Sequence, residues 1–553
     1  MSDRIERVPV RKETPAERSL SSKLLFVLAL ALLGSIFVFS LYPALFAPIS
    51  ADDRYWAIET PARFASYLEV VTGTFEDNAA FIEAGRVSTI GRLARRLVHQ
   101  ATFDVSRLTS TSLVTSLAVA KLILLAAAVS SCLAFVRAIR WRSPGGGLVG
   151  IGRASTTVAG ASLIALLAGG VQTHAQFRNA WISYAPHTYL AATIIFGTAA
   201  ASVVLARRVA DRRPGAIPTG VFLGVLFAVL WNWTYELNYL GLPLALFALF
   251  VFPLAPSGRD VDQRRGRLIV GGTLASSWVI LFAVTRLLLA GVCTGDGCYV
   301  GTSLSLGADV FRTVWFNLVS SFPGSSGAVF LKDLEAQGSA HRWTTGTVGN
   351  LWVASVLMGA SLLVVWYWAA KRWPVPEERR SAERSLLLLG AVGSVGVGHG
   401  GALIMSLSIQ AQEVISRVGL PYRHTVLTWT ATALAVALAG RAVHLSASSW
   451  LRVASITVVL GMVVLTSAYT LPRNLVSTQA YSVTPANRSV ADIHWEVIAG
   501  DLTEGGDERR CLAFERAEAS VNSYWLTARL QPAADTLFMQ LYGEPFCSHN
   551  RDH

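Results

Sequence analysis

Two adjacent carboxylates, Asp52 and Asp53, follow the first long apolar segment of the chain by a few residues. That segment covers residues 24–48, and a helix needs about 20 apolar residues to cross a bilayer. Carboxylates at a membrane surface, opposite a lipid-borne substrate, can act as a general base or bind a donor or a metal. The alternative is that the pair only solvates a helix end.

The composition is that of a membrane protein. Of the 553 residues, 52% are hydrophobic and 15% are charged, which is far from the composition of soluble globular proteins. The net charge of +12 comes largely from arginines at the ends of apolar segments. Such residues mark the cytoplasmic ends of membrane helices, so we give nucleic acid no weight as a partner.

The apolar pattern predicts an all-α polytopic membrane protein with about eleven transmembrane helices. The predicted spans are residues 24–48, 112–136, 154–172, 188–206, 217–233, 237–255, 268–291, 347–370, 385–407, 424–440 and 453–471. Every second connection between them is rich in arginine. This alternation predicts a cytoplasmic N-terminus and an extracytoplasmic C-terminus.

The sequence divides into three regions. We predict a cytoplasmic tail at 1–22, a transmembrane catalytic domain at 23–471 and a small extracytoplasmic C-terminal domain at 472–553. The outer loop 49–111 carries the acidic pair and an amphipathic stretch with several arginines, which predicts an interfacial helix. The outer loop 292–346 contains an apolar-aromatic stretch at residues 310–316, which predicts a re-entrant or interfacial helix. Acceptor recognition is a hypothesis for the C-terminal region.

The cysteines are consistent with this topology. Cys293 and Cys298 lie in one outer loop, Cys511 and Cys547 lie in the C-terminal region, and Cys132 alone falls within a span. Two local pairs in an oxidising compartment predict two disulfides, although the pairing is not fixed by the sequence. A metal site is the other interpretation of the first pair, but no adjacent His or Cys completes a tetrahedral set.

Several ionisable residues fall on the outer side of the predicted bundle. Lys121, Arg286 and His399 occupy the outer halves of their helices, and Tyr235-Glu236 forms part of a short outer hairpin. Intramembrane charges usually line a cavity or a pathway. A transporter would need polar groups at mid-depth or on both sides. The shared sidedness therefore favours an enzyme that is open to the outer leaflet.

These features together resemble the GT-C superfamily of integral membrane glycosyltransferases. The resemblance rests on the acidic pair after the first span, the amphipathic helix in the first outer loop, the many spans and the outer C-terminal region. The Tyr235-Glu236 hairpin followed by Leu240-Gly241-Leu242-Pro243 is also similar to bacterial O-antigen-modifying glucosyltransferases. The resemblance covers the chain to about residue 471, and nothing in it covers the C-terminal region.

The resemblance implies an inverting transfer of a sugar from a polyprenyl-phosphate donor to a glycan or lipid-linked acceptor. Asp53 resembles the family's catalytic base and is our first choice, with Asp52 second. Some members use a divalent metal beside this motif, so Mg²⁺ or Mn²⁺ is a possible cofactor. Glu76, Asp77 and Glu236 could supplement the pair, but no spacing fixes a metal site.

The leaving lipid phosphate requires cations near the membrane surface. The candidates for donor-phosphate binding are Arg417, Arg423, His424, Arg286 and Lys121. The candidates for substrate binding are Trp56, Glu236, Tyr235, Glu76, Asp77 and His174. Each cation also has a structural interpretation, as an anchor of its span to lipid headgroups or as a core group.

Two other classes of membrane protein stay open. A polysaccharide polymerase or ligase also acts on lipid-linked glycans and relies on Arg and His in a late outer loop, which the Arg417–His424 segment could supply. A lipid or glycan transporter is the third class, and we find no convincing internal repeat for it. All three predict a multi-pass protein of the plasma membrane, and the enzyme classes predict an active site on the extracytoplasmic face.

Overall fold

A computed structural model describes most of the chain. The described residues are 15–47, 49, 52–143, 146–171, 181, 184–256, 259–292, 304–325, 345–415, 423–482, 485–520 and 526–548. Cys293, Cys298, His174 and Arg417 lie outside these ranges, so the predictions made for them remain predictions.

Helices dominate the described structure. In chain order they are α1 (Pro15–Leu45), α2 (Asp53–Arg63), α3 (Tyr67–Glu76), α4 (Asn78–Glu83), α5 (Thr89–Thr109), α6 (Leu113–Ala138), α7 (Arg153–Gly170), α8 (Ala185–Ala210), α9 (Ala216–Trp233), α10 (Gly241–Val251), α11 (Asp260–Gly266), α12 (Gly272–Val292), α13 (Asp309–Ser320), α14 (Thr345–Arg372), α15 (Glu377–Ser406), α16 (Ile409–Val414), α17 (Thr425–His444), α18 (Ser449–Ser482), α19 (Pro485–Ala499), α20 (Glu504–Ser520) and α21 (Gln531–Tyr542). A 3₁₀ turn, Glu236–Leu240, leads into α10. Strands β1 (Arg140–Arg142) and β2 (Leu148–Gly150) form a small antiparallel hairpin between α6 and α7.

Nine helices in the described ranges are long and apolar enough to cross a membrane. They are Lys23–Leu45, Leu113–Ala138, Pro186–Ala210, Ala216–Trp233, Asp260–Val292, Leu351–Arg372, Glu377–Ser406, Thr425–His444 and Ser449–Leu475. The protein is therefore an all-α multi-pass membrane protein, as the apolar pattern predicted. Of the other two predicted spans, one matches the almost fully buried α7 and one the shorter apolar segment Glu236–Val251. The count of eleven stays a prediction.

The arginine-rich connections meet at one end of the helix bundle. Arg142, after α6, contacts Asp260 at the start of α11 at 3.0 Å, and Arg212, after α8, contacts Asp262 at 3.0 Å. These exposed ion pairs contribute little stability individually. Their position shows that alternate connections of the chain converge, which is the pattern expected when one end of the bundle faces the cytoplasm.

The C-terminal helices pack against the first loop and form a second hydrophobic core with it. Tyr55 and Ile58 of α2 are buried in the same cluster as Ile493 of α19, Phe514 of α20 and Phe538 of α21. A disulfide between Cys511 and Cys547 ties α20 to the end of this region, which confirms that part of the disulfide prediction. The long helix α18 continues past residue 471, where we predicted the domain boundary.

Candidate functional site

Asp53 is the first residue of α2 and is only 1% exposed. The Nε2–H of His99, on α5, donates to Asp53 Oδ1 at 3.3 Å, and the backbone N–H of Tyr184 donates to Oδ2 at 2.7 Å. Burial alone would raise the pKa of Asp53, but His99, the Tyr184 N–H and the charge of Lys121 together hold it below its usual value. Asp53 is therefore an ionised carboxylate with both oxygens already bonded.

Asp52 differs from its neighbour because its side chain lines an open cleft. Its Oδ2 accepts a hydrogen bond from the hydroxyl of Tyr184 at 3.2 Å, and the side chain is partly exposed. Asp53 and His99 lie behind the cleft wall and do not line it. The geometry therefore presents Asp52 to a bound molecule and uses Asp53 to hold α2, α5 and Tyr184 together.

The cleft encloses about 900 Å³ of empty space, part of it open to the outside. Its acidic lining residues are Asp52 and Glu236, and its cationic ones are Arg86, Arg92, Arg95 and Arg423. Its rings come from Trp56, Phe81, Tyr184, His187 and Tyr235. The cleft therefore combines acidic, cationic and aromatic groups, which together can bind and orient a polar, charged molecule.

Helix α5 supplies the basic wall of the cleft. The Arg95 guanidinium stacks over the Trp56 ring at 3.5 Å, and the Arg92 guanidinium stacks over Phe81 at 3.7 Å. Burial and, to a smaller extent, the nearby charge of Arg96 lower the pKa of Arg95 to about 9 and that of Arg92 to about 10. Both guanidinium groups are thus protonated at neutral pH and face the cleft instead of solvent.

The opposite wall comes from the start of α8 and the Thr234–Glu236 segment. The rings of His187 and Tyr235 meet edge to face at 5.9 Å. Gly91 of α5 allows this wall to come close, because a Cβ there would lie 2.1 Å from the backbone oxygen of Thr234.

We expect Gly91→Ala to separate the two walls of the cleft. The added methyl collides with a backbone atom that cannot rotate away, so we expect about 1–3 kcal/mol of destabilisation and reduced activity. The control is Gly272→Ala on α12, where a Cβ meets nothing within 4 Å. The measurement is the melting temperature of both variants in nanodiscs. If the Gly91→Ala protein has the same melting temperature as the wild type, the two walls are not in close contact.

A second, mainly apolar groove opens beside the cleft. It encloses about 1090 Å³, part of it open to the outside. Its walls come from Tyr239 and Leu242 near α10, Trp278 and Phe282 on α12, and Met405 on α15. The rings of Trp278 and Phe282 stack at 4.9 Å. Groove and cleft share two lining residues, Glu236 and Arg423, so the two spaces adjoin at these residues.

The structure brings together some of the predicted site residues. Asp52, Trp56, Tyr235, Glu236 and Arg423 line the cleft, and Arg286 lines the groove.

Other predicted site residues lie away from the cleft lining. Lys121 is buried in α6, where its Nζ donates to the carbonyl of Ala44 at 3.3 Å. His424 is buried and bonds the carbonyl of Asn317 at 2.8 Å. Glu76 is exposed at the end of α3.

Asp77 is engaged in a structural ion-pair network next to the site. It pairs with Arg63 at 2.6 Å and with Arg96 at 2.7 Å. Burial raises its pKa, but the hydrogen bonds and charges of the two arginines outweigh burial and hold it below the usual value. Asp77 thus fixes α5 on α3 and is not among the cleft-lining acids.

The metal prediction concerns the same acids. Within the described ranges, no group of three or more His, Cys, Asp or Glu side chains could hold a metal ion. Asp52 and Glu236 are the acids that line the cleft, whereas both oxygens of Asp53 are already bonded. The Mg²⁺ or Mn²⁺ ion implied by the resemblance stays a prediction.

Sequence reasoning missed the basic face of α5 and His99 as parts of the site. The signal was present as arginines repeated at helical spacing, but this pattern predicted an interfacial helix in the first outer loop and not a wall of the cleft. Comparison with known proteins adds no assignment: no protein-family model, no curated protein and no solved structure matches the chain.

Proposed function

We propose that this protein is an inverting membrane glycosyltransferase that moves a sugar from a polyprenyl-phosphate donor to a glycan or lipid-linked acceptor. The observation that carries the proposal is the junction at Glu236 and Arg423, where a polar cleft with a carboxylate meets an apolar groove between membrane helices. A polyprenyl-phosphate sugar has matching chemistry, because an apolar chain is joined to a polar head made of a phosphate and a sugar.

The donor is oriented by this junction. Its isoprenoid chain lies in the groove against Trp278, Phe282 and Met405, where burial of apolar surface favours binding. Its phosphate lies near Arg423 and Arg286, since guanidinium groups bind phosphate through paired charge-assisted hydrogen bonds. Its sugar then extends into the cleft towards Asp52 and Trp56.

Asp52 acts as the general base. It takes the proton of the acceptor hydroxyl as that oxygen attacks the anomeric carbon, and the carbon–oxygen bond to the phosphate breaks. The bonding electrons leave with the lipid phosphate, whose charge the nearby arginines stabilise. One displacement inverts the anomeric centre. This assignment differs from the sequence-based prediction, which favoured Asp53 as the base. Asp53 is buried and both of its oxygens accept hydrogen bonds, whereas Asp52 lines the cleft.

The location follows from the arginine distribution. The cleft lies at the end of the bundle away from the arginine-rich connections, so we place it on the extracytoplasmic side of the plasma membrane, with the N-terminus in the cytoplasm. A GT-C-like arrangement of about eleven spans is part of this proposal. A polymerase or ligase is the second candidate, because Arg423 lies in the cleft.

The groove gives a direct test of the lipid donor. Met405→Trp fills the groove, so we expect the KM for a long-chain polyprenyl-phosphate sugar to rise about tenfold, which needs a loss of only about 1.4 kcal/mol of binding. The KM for a short-chain donor, which does not reach the groove wall, stays near the wild-type value. The measurement is initial transfer rate against donor concentration in nanodiscs.

Leu287→Trp is the matched control for the groove. Leu287 lies on α12 but is exposed on the outside of the bundle and does not line the groove. We expect the KM values of Leu287→Trp for the long-chain and short-chain donors to equal those of the wild type. Equal effects of Met405→Trp on long and short donors would contradict the assignment of the groove to the lipid chain.

A further inference from the structure

Two buried arginines on α5 carry donor atoms that the protein leaves without partners. Arg92 is 3% exposed and Arg95 is 9% exposed, and both line the cleft. Arg92 Nη2 donates to Asn78 Oδ1 at 2.7 Å. Its Nε and Nη1, and the Nε of Arg95, have no hydrogen-bond partner among the described residues. A buried N–H donor left unpaired is costly, and more so on a charged group.

Among the described residues, no carboxylate forms an ion pair with Arg92 or Arg95, although Asp53, Glu59 and Asp77 are close enough to favour their charged forms. Asp77 is already shared between Arg63 and Arg96, and Asp53 is held by His99 and Tyr184. The guanidinium planes are also fixed, because each is stacked on a ring of the cleft wall. A charged guanidinium that is held in place and keeps unpartnered N–H donors is preorganised to bind an anion through charge-assisted hydrogen bonds.

This pair differs from the cations at the lipid groove because it does not line the groove. Arg423 lines both the cleft and the groove, and Arg286 lines the groove alone. Arg92 and Arg95 line the cleft alone, beside Phe81 and Trp56. A single lipid phosphate at the mouth of the groove therefore accounts for the first set of cations and leaves the second set unused.

We propose that Arg92 and Arg95 form a second anion site, which binds a phosphate group of the acceptor. That the acceptor carries the phosphate rests on the proposed function, whereas the anion site rests on the unpaired donors alone. The phosphate has two sources, either a lipid-linked glycan or a water-soluble sugar phosphate. Both present the same tetrahedral oxyanion to the two guanidinium groups.

Direct binding tests the anion site without any sugar transfer. The probe is inorganic phosphate, titrated calorimetrically into the full-length protein in phosphatidylcholine nanodiscs. We expect saturable binding by the wild type. The affinity for phosphate should fall at least about tenfold in Arg92→Gln/Arg95→Gln, because this variant loses charge-assisted hydrogen bonds. Arg107→Gln, which removes an exposed arginine from the same helix, should bind as the wild type does. Equal binding by the double variant and the wild type would overturn the site.

Folding is controlled by a charge-retaining variant. Arg95→Lys keeps the charge but loses the planar guanidinium donors, so it should bind phosphate with intermediate affinity at the wild-type melting temperature. If the double variant is unstable, the two single variants carry the test. Suppose that Arg95→Gln and Arg95→Lys are as stable as the wild type and bind phosphate equally weakly. That result would contradict binding through the charge of Arg95.

Transfer kinetics then identify the molecule that carries the phosphate. With a fixed donor, we expect the arginine variants to raise the KM of phosphate-bearing acceptors about tenfold and to leave the KM of the donor within twofold. Lipid-linked and soluble sugar phosphates are compared in parallel, and the one whose KM responds is the source. A raised donor KM with an unchanged acceptor KM would assign the pair to the donor phosphate and overturn the proposal. Failure of all transfer would remove the proposed function but leave the binding result standing.

Discussion

Asp52→Asn should reduce sugar transfer by about 10²–10⁴-fold, the range that a general base contributes. Asparagine has the same shape, and its amide oxygen can still accept the hydrogen bond from the Tyr184 hydroxyl. It cannot take a proton from the acceptor. Because the side chain is partly exposed, we expect the melting temperature to stay at the wild-type value. Asp309→Asn, the same change at an exposed aspartate on α13, is the control and should leave transfer unaffected.

Asp53→Asn separates a chemical role from a positioning role. Asp53 is buried, and it accepts hydrogen bonds from His99 and from the backbone of Tyr184. Its replacement should lower the stability by about 1–3 kcal/mol as well as reducing transfer. An Asp52→Asn protein that keeps its activity, beside an inactive Asp53→Asn protein of wild-type stability, would return the role of base to Asp53.

Reduction of the Cys511–Cys547 disulfide should also abolish most transfer, although none of the described residues of the C-terminal region lines the cleft. The C-terminal helices hold α2 in place: the Nε2–H of His494 donates to the carbonyl of Arg54 at 2.9 Å, and Gln540 donates to the carbonyl of Ala62 at 3.0 Å. Arg529 adds an ion pair to Glu59. Asp52 and Asp53 lie at the start of this helix, so its displacement moves the proposed base.

The size of the effect follows from the loop that the disulfide closes. The two cysteines are 36 residues apart, and a cross-link of that span stabilises the folded region by about 4 kcal/mol in the chain-entropy model. We expect dithiothreitol to increase hydrogen exchange in α19 and α2 before the membrane helices respond. Transfer measured on the same samples should fall in parallel.

The matched control is the Cys511→Ala/Cys547→Ala variant. It should resemble the reduced wild type, and dithiothreitol should change it no further. An additional loss on reduction would come from another disulfide, such as the predicted Cys293–Cys298 pair. If α2 loosens while transfer to every acceptor persists, the C-terminal region does not position the base. If transfer to some acceptors alone is lost while α2 stays protected, the region recognises the acceptor instead.

The membrane helices and the location of the acidic pair could be predicted from the sequence because both depend on local pattern. A long apolar run predicts a membrane-spanning helix. Because Asp52 and Asp53 closely follow such a run, they are expected near the membrane surface. The disulfide prediction for Cys511 and Cys547 succeeded for a similar reason, since local cysteine pairs on the oxidising side tend to be joined.

The parts of the site that depend on tertiary packing could not be predicted. The periodicity of α5 shows that it has two unlike faces, but not that the face with Arg92 and Arg95 is buried against a cleft. The pairing of His99 with Asp53 joins two helices that are far apart in the chain. Likewise, the packing of α19 to α21 on α2 has no signature in either segment alone.

In the proposed function, the sugar leaves a lipid phosphate at the junction of groove and cleft. The most direct measurement uses the purified protein in nanodiscs with a labelled polyprenyl-phosphate monosaccharide and a lipid-linked glycan extract. We expect one polyprenyl phosphate to be released for each sugar transferred, and the new linkage to have the opposite anomeric configuration to the donor. If whole glycans are joined while the monosaccharide donor stays intact, or if the donor crosses the membrane unchanged, the proposed function is contradicted.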